Sequence, residues 1–244
     1  MRKLFYFFLT IFSFSALAQN QSGIINYEFK IDMHKRIQDE QMRAMIPKYR
    51  ISKYELLFTP IESLYRPIVE DEEPETNSFS SNGANVTIKT QTPQNEVYKN
   101  FTTNILLNER ELAGKKYLIE DSIKNIPWKI LTDTKTIAGY NCLKAIYENV
   151  ERKQTFNVWF TSDIVTPSGP EAIAGLPGMI LEMDINNGET VITATKITFK
   201  ELKSEIKAPS KGKKVTQKEF NKIRDDFMKE MNMNGGPNIR IIRN

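Results

Sequence analysis

Apolar and polar positions alternate along most of the chain. Residues 25–33 place apolar side chains on one face and polar side chains on the other, which is typical of a half-buried antiparallel strand. Residues 155–161 and 179–185 alternate in the same way, and Asn-Asn-Gly at 186–188 predicts a hairpin turn into a strand over 190–200. Shorter strand patterns occupy residues 54–58, 63–66, 96–101, 116–121, 127–131 and 140–149. Many short strands separated by turns predict a mainly β fold, an antiparallel curved sheet or incomplete barrel.

The periodicity changes near the C-terminus. Residues 208–215 form a basic linker, after which Thr216 and Glu219 have the spacing of a capping box. A helix is predicted over 216–234, followed by a tail at 235–244. Its apolar stripe comprises Phe220, Ile223, Phe227, Met228 and Met231. This amphipathic helix is expected to cover an open face or edge of the sheet.

One internal segment differs from its surroundings. Residues 70–95 begin with a run of acidic side chains and continue into a stretch rich in Ser, Asn and Gly. This composition is typical of a solvated, mobile acidic loop. All of the predicted strands are assigned to a single β domain over residues 19–207, which includes this loop.

The N-terminus has the three parts of a secretory signal peptide. Arg2 and Lys3 precede an apolar run, and Ala16-Leu17-Ala18 supplies the small residues that signal peptidase requires. Cleavage after residue 18 predicts an exported protein of the periplasm or cell surface, which does not span the membrane once the signal is removed. Loss of the two basic residues lowers the formal net charge of +4 by two, so no nucleic-acid partner is expected.

Few residues suited to catalysis are present. The chain has one cysteine, Cys142, and one histidine, His34, so it forms no internal disulfide and lacks the histidines of serine triads and most zinc sites. Glu182 and Asp184 share one face of their predicted strand, where they are interpreted as its polar side. No cofactor, metal site or catalytic residue is predicted.

The most unusual local feature is a Gly-Leu-Pro-Gly-Met-Ile turn, formed by Gly175, Leu176, Pro177, Gly178, Met179 and Ile180. Glycine on both sides of Leu-Pro predicts a sharp turn with a structural role or a contact role. The turn resembles the signature of the GLPGLI family, which comprises exported proteins of Gram-negative envelopes, with Met179 where the name motif has Leu. Residues 127–130, 136–145 and 158–164 resemble three further motifs of that family. The resemblance implies an envelope protein of unknown function and supplies no catalytic residues.

Two functional interpretations follow from an exported sheet without catalytic residues. The first is a non-enzymatic binding or carrier module for an apolar or small-molecule ligand. Its candidate lining residues are Tyr27, Phe29, Phe156, Val158, Leu181 and Phe199. The alternative is an interaction protein that docks to an outer-membrane or cell-surface partner through the GLPGMI turn and exposed sheet edges. An envelope hydrolase would require a cleft in which carboxylates converge.

Overall fold

A computed structural model describes residues 22–37, 40–68, 75–81, 84–90 and 95–233 of the chain. Strands dominate this part. They are β1 (Gly23–Asp32), β2 (Tyr49–Phe58), β3 (Glu62–Pro67), β4 (Glu75–Ser81), β5 (Ala84–Thr90), β6 (Glu96–Asn100), β7 (Ile105–Leu112), β8 (Lys115–Ser122), β9 (Lys129–Ile137), β10 (Tyr140–Asn149), β11 (Gln154–Thr161), β12 (Met179–Ile185), β13 (Thr190–Phe199) and β14 (Lys213–Val215). The helices are α1 (Met33–Arg36), α2 (Glu40–Met45) and α3 (Gln217–Met233).

Twelve strands form one sheet in the order β14-β8-β7-β6-β3-β2-β1-β13-β12-β11-β10-β9. Neighbouring strands are antiparallel except β14, which pairs with β8 in parallel. The two end strands, β14 and β9, are not paired with each other. The strands β4 and β5 form a separate antiparallel hairpin.

Most of the main hydrophobic cluster lies on one face of this sheet, here called the inner face. Ile25 on β1, Leu56 on β2 and Val158 on β11 are fully buried there. The same core cluster includes Leu106 on β7 and Ile137 on β9, which come from strands near opposite ends of the sheet. The sheet must therefore curl to bring them into one cluster. The predicted fold, a curved antiparallel sheet or incomplete barrel with a C-terminal helix, is confirmed.

Residues 162–178, the connection between β11 and β12, cross the inner face and are called the crossing loop below. The loop buries Ile164, Ala174 and Leu176 in or against the core. The backbone N–H of Ile180 donates to the Ser168 carbonyl (2.8 Å), and the Thr166 hydroxyl donates to the Thr59 carbonyl (3.0 Å). These contacts hold the crossing loop between the two halves of the sheet, one running from β14 to β2 and the other from β13 to β9.

The structure differs from the sequence prediction in several segments. Strand β2 (Tyr49–Phe58) begins before the predicted 54–58, β9 (Lys129–Ile137) extends beyond the predicted 127–131, and β14 (Lys213–Val215) lies within the predicted linker 208–215. Strand β7 was not predicted, because Asn108 and Glu109 are buried polar residues that interrupt its alternation. Residues 70–95 were expected to be a loop, but Glu75–Ser81 and Ala84–Thr90 pair as an antiparallel hairpin. Val86 and Ile88 alternate with polar residues in this segment, and both have high β-propensity. Its acidic composition masked that pattern.

The C-terminal helix forms where the capping box predicts it. The Thr216 hydroxyl accepts from the Glu219 backbone N–H (3.2 Å), and the Glu219 carboxylate accepts from the Thr216 backbone N–H (2.7 Å). Phe220 packs edge-on against Tyr117 of β8, with ring centres 5.6 Å apart. The helix therefore packs on β8, next to the edge strand β14. The predicted tail at 235–244 and the predicted signal peptide lie outside the described residues.

Candidate functional site

The GLPGMI turn is tightly packed at the end of the crossing loop. Leu176, Met179 and Ile180 are buried, whereas Gly175 and Pro177 are exposed. A Cβ atom at Gly178, where φ is +143°, would overlap the carbonyl oxygen of Thr161. The glycine is therefore required by a close backbone approach that starts strand β12.

A buried lysine anchors the crossing loop to the other half of the sheet. Lys99 on β6 is fully buried, and its ammonium group donates to the carbonyls of Gly169 (2.7 Å) and Ile173 (2.8 Å). It also donates to the hydroxyl of Ser168 (3.4 Å), which is hydrogen-bonded to Ser63 (2.8 Å). Burial lowers the pKa of Lys99 to about 7, and the negative charge of Glu171 partly opposes this shift.

Aromatic and charged side chains surround this anchor. Tyr54 and Tyr65 stack with ring centres 4.9 Å apart, and burial raises the pKa of both hydroxyl groups, that of Tyr54 to about 12. The Tyr65 hydroxyl has no hydrogen-bond partner among the described residues. At the rim, Arg110 and Glu171 form an ion pair at 2.5 Å. These contacts fix the crossing loop to β6 and β7, so the role of this group of residues is structural.

The predicted ligand-lining residues lie mostly in the core. Tyr27, Phe156, Val158 and Leu181 belong to the buried cluster, with Phe29 packed against it. Phe199 is instead 45% exposed and contacts Phe58 edge-on. The structure therefore brings five of the six residues into or against one cluster and leaves the sixth half exposed beside Phe58, a member of that cluster.

Cys142 is also part of the core cluster. Burial raises the pKa of its thiol to about 11, so the protonated form dominates at neutral pH. Its sulfur donates to the Tyr140 carbonyl (3.6 Å). These properties suit a buried apolar residue rather than a nucleophile.

The opposite face of the sheet, here called the outer face, carries a polar cluster around Trp159. Trp159 on β11 pairs with Lys144 on β10 and with Glu182 on β12, and Glu182 pairs with Thr193 on β13. Directly opposed residues share a sheet face, so these four side chains lie together. With Lys135 of β9 they are called the Trp159 cluster below.

Ion pairing and aromatic contacts organise the Trp159 cluster. The ammonium group of Lys135 donates to both carboxylate oxygens of Glu182, at 2.7 and 2.8 Å, and the Thr193 hydroxyl donates to the same carboxylate (3.4 Å). The ammonium nitrogens of Lys135 and Lys144 lie 5.7 and 5.8 Å from the centre of a Trp159 ring. The cluster thus combines an indole ring with charged donors and acceptors at its rim.

A pocket lies further along the same face. Glu28 pairs with Thr193 on one side and with Lys53 on the other, so the outer face continues from the Trp159 cluster onto β1 and β2. Glu28 and Lys53 line a pocket of about 120 Å³, together with Asn26, Tyr27, Ile68 and Thr195. Polar side chains therefore extend from Trp159 to this pocket.

The sequence contained part of the signal for this surface. Alternation in residues 155–161 separates Trp159 from the apolar side chains of its strand, and Glu182 was placed on a polar strand face. The lysine partners come from β9 and β10, whose register relative to β11 only the folded sheet defines. Asp184 accepts a hydrogen bond from the Gly188 backbone N–H (2.5 Å) in the following hairpin, so it does not join Glu182 in a carboxylate pair.

In the part of the chain that the structure covers, no three His, Cys, Asp or Glu side chains are placed to hold a metal ion together. Within the same residues, no helix has the length and apolar character needed to cross a membrane.

Comparison with known proteins identifies the class. Residues 70–224 match the family described as N-glycanase peptide, N-terminal domain, and the chain belongs to this family. Two crystal forms of PNGF-II, in space groups P21 and C2, have similar folds with TM-scores of 0.54 at 17% and 18% identity. Each alignment covers 83% of this chain but only 33% and 32% of PNGF-II, so the chain spans about a third of that protein's length. No curated protein matches the chain.

This family membership corrects the interpretation drawn from short motifs. The resemblance to the GLPGLI family is wrong, because the family match includes all the motif-bearing residues, 127–185, and is to a different family. The turn at 175–180 satisfies a packing requirement of the loop–strand junction, and that requirement does not define a family.

The family assignment also changes the functional interpretations drawn from the sequence. The prediction of a non-enzymatic carrier or docking protein is wrong, because the family is named for an N-glycanase and PNGF-II shares the fold. The few nucleophiles and histidines of the chain and its single pair of strand carboxylates do not indicate this family. The family is consistent with the export that residues 1–18 predict.

Proposed function

We propose that this chain takes part in the removal of N-linked glycans from exported or surface glycoproteins, and that its sheet binds the glycosylated polypeptide. The observation that carries the proposal is the match of residues 70–224 to the N-terminal domain of an N-glycanase family. The similar fold of PNGF-II over 83% of the chain supports it. The protein would act in the periplasm or at the cell surface, where its signal peptide would deliver it.

The chemistry of the outer face suits such a substrate. N-glycans expose many hydroxyl groups, which pair with charged donors and acceptors such as those of Lys135, Lys144 and Glu182. The inner face is filled by apolar side chains and the crossing loop. A hydrophilic substrate therefore fits the outer face better than the inner one.

The test uses an N-glycopeptide and the same peptide without its glycan. Isothermal titration calorimetry with the full chain should show binding of the glycopeptide and at least tenfold weaker binding of the bare peptide, about 1.4 kcal/mol. Mass spectrometry of the same mixture over time measures any release of the glycan. Equal affinity for both peptides, with no glycan released, would overturn the proposal.

A further inference from the structure

Among the described residues, the outer face contains two places where an aromatic ring lies near two lysines. One is Trp159 with Lys135 and Lys144, and the other is Tyr49 with Lys30 and Lys48, whose ammonium nitrogens lie 5.5 and 5.1 Å from the ring centre. Both aromatic residues lie on the same sheet face, since Tyr49 and Lys53 are separated by four residues along β2. At the Trp159 site the carboxylate of Glu182 accepts from the side chains of Lys135 and Thr193. The carboxylate of Asp32, directly opposite Tyr49, accepts instead from the backbone N–H groups of His34 and Lys35.

The Trp159 cluster has the complementary parts that a sugar ring requires. A pyranose ring presents C–H groups on its faces and hydroxyl groups around its edge, so it fits an aromatic surface bordered by hydrogen-bonding groups. Glu182 supplies acceptor oxygens that Lys135 and Thr193 hold in place. Lys144, directly opposite Trp159, supplies a donor on the other side.

The pocket at Glu28 extends this surface across the strands. Trp159, Glu182, Thr193 and Glu28 lie on four successive strands, β11, β12, β13 and β1. At a strand separation of about 4.8 Å, the path from Trp159 to Glu28 is roughly 14 Å long. Such a length accommodates several linked sugar rings, the last of which would enter the pocket lined by Asn26, Glu28 and Lys53.

We propose that the Trp159 cluster and the adjoining Glu28 pocket form an oligosaccharide-binding site, with Trp159 as the stacking platform. This inference rests on the proposed function and assigns its glycan-binding step to one surface. The ligand is the glycan portion of the N-glycopeptide, running across the strands from Trp159 towards Glu28. The ion pair between Lys135 and Glu182 opens or shifts to share its donors and acceptors with the sugar hydroxyl groups.

Tryptophan fluorescence tests this site directly, since the chain has only two tryptophans, Trp128 and Trp159. Titration of the full chain with free N-glycan should change its emission, and the Trp128→Phe variant should keep that change because Trp159 alone reports it. Trp159→Ala, Glu182→Gln and Lys144→Ala should each lower the affinity for the N-glycopeptide by about tenfold or more. Glu182→Gln and Lys144→Ala keep the half-buried indole, so they test the site if loss of Trp159 affects folding.

Tyr49→Ala is the matched control, because Tyr49 is an exposed aromatic residue between two lysines on the same face. It should bind the glycopeptide with the wild-type affinity. If all variants retain wild-type affinity, the location is wrong while glycan binding by the chain stands. If Tyr49→Ala alone loses affinity, the site is at Tyr49 instead. Failure of the wild-type chain to discriminate the glycopeptide from the bare peptide would overturn the proposed function and this site with it.

Discussion

At the residue scale, the burial of Lys99 is a property of the fold that the sequence does not predict. Its strand, Glu96–Asn100, gives no sign in sequence that the lysine points into the protein, because lysines are rarely buried. Burial is possible only because carbonyls about seventy residues later, those of Gly169 and Ile173, accept its protons. A partner so distant in sequence cannot be found from the local pattern.

The lowered pKa of Lys99 makes stability depend on pH. Its folded pKa of about 7 lies below the ordinary value of 10.5, so the unfolded chain binds more protons between these two values. The free energy of unfolding should therefore rise with pH from about 7 to 10, by up to about 1.4 kcal/mol per pH unit. The stabilising contribution is complete above the unfolded pKa and is lost as the pH falls to the folded one.

Urea denaturation between pH 6.5 and 9.5 measures this effect. The Lys99→Met variant should lose the pH-dependent rise, since methionine does not titrate. Lys222→Met, which changes an exposed residue of α3, should keep the wild-type profile. Parallel profiles for the wild type and Lys99→Met would show that Lys99 is not the titrating group.

Gly178 is a second position where a single residue governs local structure. An alanine there would combine a backbone φ of +143° with an overlap of its Cβ and the Thr161 carbonyl oxygen. Gly178→Ala should therefore destabilise the protein by roughly 3 kcal/mol or more. Gly114→Ala is the comparison, because Gly114 also has positive φ (+75°) but has no atom within 4 Å of the added Cβ. Its cost should be only about 1 kcal/mol, and equal losses in urea titrations would contradict the steric explanation.

At the scale of elements, a strand can be predicted from the sequence when its buried positions are apolar and its exposed positions are polar. Strands β10 and β12 were predicted with the bounds that the structure shows, Tyr140–Asn149 and Met179–Ile185, because turn residues mark their ends. The alternation pattern does not predict strand β7, because polar residues occupy buried positions on it. The sequence reports the periodicity of an element well only where burial follows polarity.

The capping box of α3 is an element-scale feature that can be tested separately from the sheet. Thr216→Ala removes the acceptor for the Glu219 backbone N–H, so it should destabilise the first turn by about 1 kcal/mol. Amide hydrogen exchange at Glu219 and Phe220 should become faster, while exchange in β12 should not change. Thr216→Ser retains the hydroxyl oxygen and should exchange as the wild type does. Unchanged protection in Thr216→Ala would mean that packing of Phe220 on Tyr117 alone fixes the helix.

At the scale of the whole molecule, the fold class was predictable but the site was not. Alternation is enough to predict an antiparallel sheet, whereas the Trp159 cluster depends on the order of β9 to β13 in that sheet. Its lysines also look like ordinary surface charges in sequence. Short motifs then misassigned the family, because a packed turn such as that at Gly178 reports a local steric need.

The shared core of the curled sheet predicts that its two halves unfold together. The core cluster contains Leu56 of β2 and Val158 of β11, and the crossing loop packs against both halves. We therefore expect the β domain to unfold in a single cooperative transition. Both tryptophans lie in residues 128–159, so their fluorescence reports one half of the sheet.

A substitution in the other half gives a decisive readout. Leu56→Ala removes a fully buried side chain and should destabilise the protein by about 2–5 kcal/mol. If the halves unfold together, the tryptophan transition in urea shifts by the same amount as the far-ultraviolet circular dichroism transition. Ile51→Ala, on the same strand but 55% exposed, should leave both transitions nearly unchanged. A tryptophan transition that stays at the wild-type midpoint in Leu56→Ala would divide the sheet into two independent units, because the core would then fail to transmit the loss from β2 to β11.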